Sequence, residues 1–173
     1  MTLSGKTIAV LGGPLYEDLE LWYPYYRLQE AGAVVKIVGM QNGPDLVESK
    51  HGYPAKIDIN AGDANPDYFD GVIVPGGYSP DHLRRCAHVV GLVRALNDQG
   101  KLVAAICHGG WVPISADVLR GKRATAFVAI KDDMVNAGVE WSDEEVVVDG
   151  NLVTSRTPAD LPAFMREIIK KLS

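Results

Sequence analysis

The sequence has few of the features that mark several large classes of protein. Its 173 residues include only two cysteines, whose spacing matches neither a disulfide framework nor a zinc motif. No apolar stretch approaches the roughly 20 residues that a membrane-spanning helix needs. The apolar run at 6–11 is too short for the hydrophobic part of a signal peptide. We therefore expect reduced thiols, no bound metal and a cytoplasmic location.

Basic residues are also fewer than acidic ones. The sequence has 17 lysines and arginines and 22 aspartates and glutamates, which gives a net charge of −5. Nucleic acids and anionic membranes select basic surfaces, so we expect neither as a partner. No repeat, low-complexity tract or linker divides the chain, and 47% of its residues are apolar. These properties predict a single globular domain over residues 1–173.

Short apolar runs alternate with amphipathic segments along the chain. We predict strands at 7–11, 34–38, 71–74 and 102–106, helices at 17–31, 89–99 and 160–172, and small hairpins within 42–60 and 145–155. This alternation indicates an α/β fold with a mostly parallel sheet. In the first helix, an apolar stripe is predicted at Leu19, Trp22, Tyr23 and Tyr26. Asp160 is predicted as the N-cap of the last helix.

Ligands of parallel sheets bind beyond the carboxyl ends of the strands. Three segments of this chain reach that edge, namely 12–17, 76–81 and 107–111. In the last of them, Cys107 follows a buried strand and precedes a turn that continues as a helix. This pattern predicts a nucleophile elbow with sulfur as the reactive atom, and a helix N-terminus favours the thiolate. Cys86 has no such context and is predicted to be structural or an incidental surface thiol.

Two further groups are predicted beside the cysteine. The backbone N–H groups of Gly76 and Gly77, together with that of His108, are suited to an oxyanion hole; alternatively, the glycines simply form a tight turn. No histidine follows His108, which excludes activation of the cysteine by a distant downstream histidine. The base is therefore His108 itself or a histidine from the region 51–88.

Glu17 follows the first strand and is predicted to reach the same edge of the sheet. A partly desolvated carboxyl group beside a thiolate favours protonation, and the acid then donates a hydrogen bond to sulfur. The alternative is that Glu17, like Asp18 and Glu20, only stabilises the helix through its negative charge at the positive N-terminal end.

Several motifs now support a resemblance over nearly the whole chain. They are 16–21 with Tyr23 and Pro24, 51–53, 74–77, 105–109, 130–138 and 144–156. With these motifs the chain resembles the PfpI family, of the intracellular protease and general stress protein type, in the class I glutamine amidotransferase-like superfamily. The resemblance implies a flavodoxin-like three-layer sandwich with a mostly parallel sheet and a cysteine nucleophile elbow at Cys107.

The resemblance also implies roles for individual residues. It implies that Glu17 is hydrogen-bonded to Cys107, and that His108 is paired with Asp81 of a neighbouring subunit. A homo-oligomer, often a dimer of trimers in this family, follows from such a shared site. Family members often carry glutamate at the position of Asp81, and the alternative is that Asp81 caps the helix that follows. The residues predicted to bind substrate or an oxyanion are Gly76, Gly77, Gly109, Tyr16 and Trp111.

Three functions are consistent with this site. The first is a cofactor-independent cysteine enzyme of stress protection that acts on methylglyoxal, glyoxal or their protein adducts, in the manner of a deglycase or glyoxalase. The second is an intracellular cysteine peptidase that uses Cys107 and His108, with Asp81 orienting the histidine. The third is a non-enzymatic redox sensor or holdase chaperone that uses the same cysteine.

Overall fold

The computed structural model describes residues 2–173 and has a seven-stranded sheet at its centre. The strands of the described chain, numbered in chain order, are β1 (Thr7–Leu11), β2 (Val34–Gly39), β3 (Leu46–Glu48), β4 (Pro54–Lys56), β5 (Ile59–Asn60), β6 (Gly71–Val74), β7 (Leu102–Ile106), β8 (Arg123–Ala124), β9 (Glu140–Trp141), β10 (Val146–Asp149) and β11 (Leu152–Ser155). The predicted strands and both predicted hairpins are confirmed, β3–β4 being the first hairpin and β10–β11 the second.

The α-helices of residues 2–173 are α1 (Asp18–Glu30), α2 (Ser79–Leu83), α3 (Ala87–Asp98), α4 (Trp111–Ser115), α5 (Lys131–Asn136) and α6 (Leu161–Leu172). Short 3₁₀ turns occupy Pro66–Tyr68, Cys107–Gly110, Val128–Ile130 and Pro158–Asp160. Gly32, with φ of +98°, lies just beyond α1 and ends the helix. Within residues 2–173 no helix combines the length and the apolar character that crossing a membrane requires.

The strand order in the central sheet is β10-β11-β7-β6-β1-β2-β5. All neighbours are parallel except β10 and β11. The mostly parallel sheet expected from the alternation of strands and helices is therefore confirmed. Because β1, β6 and β7 lie side by side and run in one direction, the segments that follow them meet at one edge of the sheet.

Successive side chains of a strand point to opposite faces of the sheet, so both faces of this sheet are apolar. Helices cover both faces. In β1, Ile8 and Val10 join the core under α1 and α6, whereas Ala9 and Leu11 join the core under α3 and α4. All four side chains are fully buried. This arrangement is the predicted flavodoxin-like sandwich of three layers.

The start of α6 differs from the prediction. Asp160 occupies the N-cap position, but its carboxylate makes no capping bond to the helix. Instead it accepts bonds from the backbone N–H groups of Arg156 and Thr157, both at 3.3 Å, and from the Arg156 guanidinium at 3.0 and 3.1 Å. Burial alone raises the pKa of Asp160, but the bonds from Arg156 outweigh it and the pKa is lowered. Asp160 therefore ties the end of β11 to the helix.

Candidate active site

Cys107 lies where β7 gives way to the 3₁₀ turn Cys107–Gly110, which leads directly into α4. Its φ angle is +61°, in the left-handed region that residues other than glycine rarely adopt. Such strain persists only where the surrounding structure imposes it, and it is typical of functional sites. The predicted geometry of strand, sharp turn and helix is confirmed, and it lifts the thiol above the carboxyl edge of the sheet.

Two backbone N–H groups lie close to the Cys107 sulfur and lower the pKa of its thiol, those of His108 and Gly77. Gly77 has φ of +74°, and a Cβ atom there would lie 2.5 Å from the Leu15 carbonyl oxygen. Glycine is therefore required both for the turn and for its close approach to the neighbouring chain. The tight turn at Gly77 is therefore confirmed, whereas the role of its N–H in an oxyanion hole stays a prediction.

The Gly76 N–H is committed elsewhere, which corrects its predicted place among the oxyanion donors. It donates a hydrogen bond of 2.7 Å to Oε2 of Glu20. A Cβ atom on residue 76 would lie 2.6 Å from that oxygen and 2.7 Å from Cβ of Cys107. Gly76 is thus the small residue that lets the Glu20 carboxyl group and Cys107 approach each other.

Glu20 is fully buried. Its pKa is raised to about 8, mainly by burial. The hydrogen bond from Gly76 partly offsets this rise, and the negative charge of Glu17 adds to it. Its other oxygen, Oε1, has no partner that meets hydrogen-bond geometry within residues 2–173. Contact with the Cys107 sulfur nevertheless contributes to the pKa of both groups. At neutral pH Glu20 is therefore mostly a protonated acid beside the sulfur.

The Cys107 thiol is itself held in its protonated form by its surroundings. Burial and then the charge of Glu20 raise its pKa to about 12, while the N–H groups of His108 and Gly77 lower it. The two acids are strongly coupled, because a negative charge on one disfavours a charge on the other. A thiolate therefore forms most easily when Glu20 keeps its proton, so the pair shares one negative charge.

The prediction that Glu17 is hydrogen-bonded to Cys107 is wrong. Glu17 immediately precedes α1, and its carboxylate forms an ion pair with Lys50 at the mouth of the site. The carboxyl group beside the sulfur belongs to Glu20, about one helical turn further along. Glu17 still lines the same cavity as Cys107, but it faces the ammonium group rather than the thiol.

The predicted apolar stripe of α1 is likewise assigned to the wrong face of the helix. Leu19 and Tyr26 have 57% and 58% of their surface exposed, and of this stripe only Trp22 packs against the core. The buried residues of α1 are instead Glu20, Leu21, Pro24 and Leu28. Their spacing of three to four residues was visible in the sequence, and it would have placed Glu20 on the inner face of the helix.

His108 lies next to the cysteine in space as well as in sequence. Its Nδ1 is 3.3 Å from the Cys107 sulfur. The imidazole packs against Trp111 and Phe127, with ring centroids 5.3 and 5.2 Å away. Burial, and then the positive charge of Lys50, lower the pKa of His108, so the ring is neutral at pH 7 and able to accept a proton.

Asp81 does not reach His108 of its own chain. It lies in the first turn of α2, its side chain is 59% exposed, and its carboxylate is 3.6 Å from the Arg85 guanidinium. Its pairing with His108 of a neighbouring subunit stays a prediction. Its alternative role as a helix cap is wrong, because α2 begins at Ser79 and Tyr78 holds the N-cap position.

Three other residues predicted to bind substrate contact other parts of the protein and do not line the cavity. Tyr16 is fully buried, and its hydroxyl donates to the Tyr53 carbonyl at 2.7 Å and accepts from Trp22 Nε1 at 3.0 Å. Gly109 is buried so close to the Val74 carbonyl that a side chain would overlap it. Trp111 donates from Nε1 to Asp133 at 2.7 Å, so it supports the His108 ring and is not among the residues that line the cavity.

The cavity above Cys107 has a volume of about 370 Å³. Its lining residues are Glu17, Glu20, Lys50, Gly77, Tyr78, Cys107, His108, Phe127, Thr157 and Pro158. Sequence reasoning missed six of these, and only Glu20 carried a periodic signal. A larger groove of about 530 Å³ lies between α1 and α6, but no cysteine or histidine lines it, so we place the chemistry at Cys107.

Fold and site together define a flavodoxin-like protein with a cysteine at a strained elbow and a buried acid beside it. Residues 6–171 match the model of the DJ-1/PfpI family, and the chain belongs to that family. It is 50% identical over 157 residues to "Deglycase PH1704" of Pyrococcus horikoshii, covering 91% of this chain and 93% of that protein. It is 42% identical over 167 residues to "Putative cysteine protease YraA" of Bacillus subtilis, covering 96% and 98%.

A solved structure shows the same fold. It is a two-domain protein of Anabaena variabilis with a DJ-1/ThiJ/PfpI-like and a ferritin-like domain. The TM-score is 0.94 at 43% identity over 96% of this chain. This chain spans 48% of that protein, so the match concerns about half of its length.

Proposed function

We propose that this protein is a cofactor-independent cysteine enzyme that acts on methylglyoxal and glyoxal or on their adducts with protein amines. The observation that supports it most directly is the strained Cys107 beside the buried, protonated Glu20. The cavity of about 370 Å³ suits a small dicarbonyl or a single modified side chain. The relative from Pyrococcus horikoshii, at 50% identity, is named a deglycase.

The proposed chemistry starts with nucleophilic attack on an aldehyde carbon. Nδ1 of His108, 3.3 Å from the sulfur, accepts the thiol proton. The sulfur then forms a bond to the aldehyde carbon of methylglyoxal, and the carbonyl electron pair moves to oxygen. The N–H groups of Gly77 and His108 lie close to the sulfur, and in this proposal they stabilise the oxyanion that forms on the attacked carbon.

Conversion to lactate then needs proton movement but no redox cofactor. The oxyanion takes up a proton and becomes a hydroxyl group. A proton then moves from the former aldehyde carbon to the neighbouring carbonyl carbon, and the hydroxyl proton moves to the oxygen of that carbonyl, which produces a thioester. Water hydrolyses the thioester to lactate and restores the thiol. Glu20, held protonated by burial, and His108, held neutral, are the acid and base available for these transfers. On a glycated amine, the same attack followed by hydrolysis releases the amine.

A peptidase is the second candidate, and one relative at 42% identity is named a putative cysteine protease. The contact between Cys107 and His108 is compatible with peptide cleavage. Against it, a cavity of about 370 Å³ is small for an extended peptide. We therefore place peptide hydrolysis second.

We also propose that the enzyme is a cytoplasmic homo-oligomer in which Asp81 of one subunit approaches His108 of another. Both cysteines are free of disulfides, which is compatible with a reducing compartment. Asp81 is exposed and carries only a long ion pair within its own chain. In the described chain, His108 makes its one side-chain hydrogen bond through Nδ1, so a carboxylate at Nε2 would complete its orientation.

The test compares the wild-type protein, Cys107→Ser and the control Cys86→Ser with methylglyoxal, following substrate and lactate by NMR. We expect the wild type and Cys86→Ser to form lactate repeatedly and Cys107→Ser to form none. A stoichiometric adduct without turnover would contradict the proposal. Peptide hydrolysis that disappears in Cys107→Ser, with no lactate formed, would establish the peptidase instead.

A further inference from the structure

Lys50 lies at the mouth of the Cys107 cavity, in the turn between β3 and β4. Its ammonium group is paired with the Glu17 carboxylate, and both residues line the cavity. The Lys50 side chain is 38% exposed and that of Glu17 is 12% exposed. The pair is therefore partly withdrawn from solvent, where its charges are screened less than those of a surface pair.

Neighbouring contacts hold this turn against the start of α1. The Lys50 backbone N–H donates to the Tyr16 carbonyl at 3.0 Å. On either side of Lys50, the Ser49 hydroxyl donates to one Asp18 oxygen at 2.7 Å and His51 Nδ1 lies 2.7 Å from the other. Lys50 is thus anchored from both sides, unlike a lysine on a freely moving loop.

Lys50 is also the only fixed positive charge among the residues that line the cavity. The other ionisable residues that line the cavity beside Cys107 are Glu17, Glu20, Tyr78 and His108. Of these, His108 is neutral at pH 7. Lys50 and Glu17 act on the buried pair in opposite directions, since Lys50 lowers the pKa of Glu20 and Glu17 raises it.

We propose that Lys50 and Glu17 together set the reactivity of Cys107. The Lys50 ammonium group favours the single negative charge that Cys107 and Glu20 share when the thiolate forms. Glu17 holds that ammonium group in place and offsets part of its charge. Lys50 is in this sense a positioning residue for charge, acting on the sulfur without bonding to it.

This inference rests on the proposed thiolate chemistry, but it is tested without any physiological substrate. In a Cys86→Ser background, the rate at which iodoacetamide alkylates Cys107 is measured by intact mass from pH 6 to pH 9. Only the thiolate reacts, so below the thiol pKa the rate follows the thiolate fraction. Loss of lactate formation with the alkylation pattern intact would count against the proposed function alone.

Substitutions of Lys50 and of Glu17 break the same ion pair, but we expect them to change the alkylation rate of Cys107 in opposite directions. We expect Lys50→Met to slow alkylation about three- to tenfold and Glu17→Gln to accelerate it by a similar factor. Both differences should shrink at high salt, because the charges are partly exposed. Lys50→Arg, which keeps the charge, should stay within about twofold of the parent rate.

A matched control is Lys6→Met, which breaks another partly exposed ion pair, with Asp70 at 3.1 Å, at the opposite edge of the sheet. We expect it to leave the alkylation rate unchanged. Changes in the same direction for Lys50→Met and Glu17→Gln would show that the pair is only structural and would overturn the proposal. Effects no larger than that of Lys6→Met would overturn it as well.

Discussion

Replacing Glu20 by glutamine tests the buried acid on which the site depends. Glutamine has nearly the same shape, and its amide oxygen is able to accept the Gly76 N–H bond that Oε2 now accepts at 2.7 Å. What disappears is the ionisable proton. The pKa of Glu20 is raised from 4.5 in the exposed group to about 8 in the folded protein, mainly by burial.

The sign of the effect on stability follows from this direction. Between these two pKa values the folded state binds a proton that the unfolded state has lost, so wild-type stability falls as the pH rises. This loss of stability is absent below the pKa that Glu20 has in the unfolded chain, and it is complete above the pKa that Glu20 has in the folded protein. It grows by about 1.4 kcal/mol per pH unit and reaches about 3 kcal/mol at pH 7. Glu20→Gln should therefore gain stability relative to the wild type as the pH rises from 5 to 8.

Urea unfolding at pH 5, 6, 7 and 8, followed by tryptophan fluorescence at one protein concentration, measures this difference. Glu30→Gln is the control, because Glu30 is an exposed glutamate at the end of the same helix. Its difference from the wild type should not depend on pH over this range. If the Glu20→Gln difference were also independent of pH, Glu20 would not be the protonated acid that the mechanism requires.

Two further predictions concern the corrected residues. Tyr16→Phe removes the hydroxyl that bonds Tyr53 and Trp22, so we expect the free energy of unfolding to fall by about 1–3 kcal/mol. The alkylation rate of Cys107 should not change, and a large change would return Tyr16 to the substrate site. Asp81→Asn should lower turnover of methylglyoxal about tenfold, as expected for loss of a group that orients the base, whereas Asp81→Glu should retain it. Equal activity of both, with the assembly unchanged in sedimentation, would show that Asp81 does not act on His108.

Local sequence patterns were sufficient for most strands of the central sheet, for the three long helices and for the elbow at Cys107. The strand 102–106 was identified from a short apolar run, and the elbow at Cys107 from the small residues that follow it. The hairpin at 145–155 was identified from its turn residues. Each of these features depends on the spacing of neighbouring residues, so one stretch of chain contains the whole signal.

The first helix shows where such patterns mislead. The sequence predicts an aromatic stripe as its inner face, yet Leu19 and Tyr26 of that stripe face outward. The inner stripe contains a charged residue, Glu20, which sequence reasoning assigns to the surface because burying a carboxylate is costly. The cost is small enough here because Glu20 keeps its proton and bonds to Gly76.

The sequence by itself determined the parallel sheet, the elbow and the adjacency of Cys107 and His108, since these follow from local periodicity and chain connectivity. Only the tertiary structure decided which acid meets the thiol, that Lys50 lines the cavity, and that Tyr16 is a core residue. Glu20 and Cys107 are 87 positions apart in the chain, and their contact depends on where the start of α1 lies beside the segments that follow β6 and β7. The charge states of the site depend on that packing, because burial and through-space distances, rather than residue type, set the pKa values.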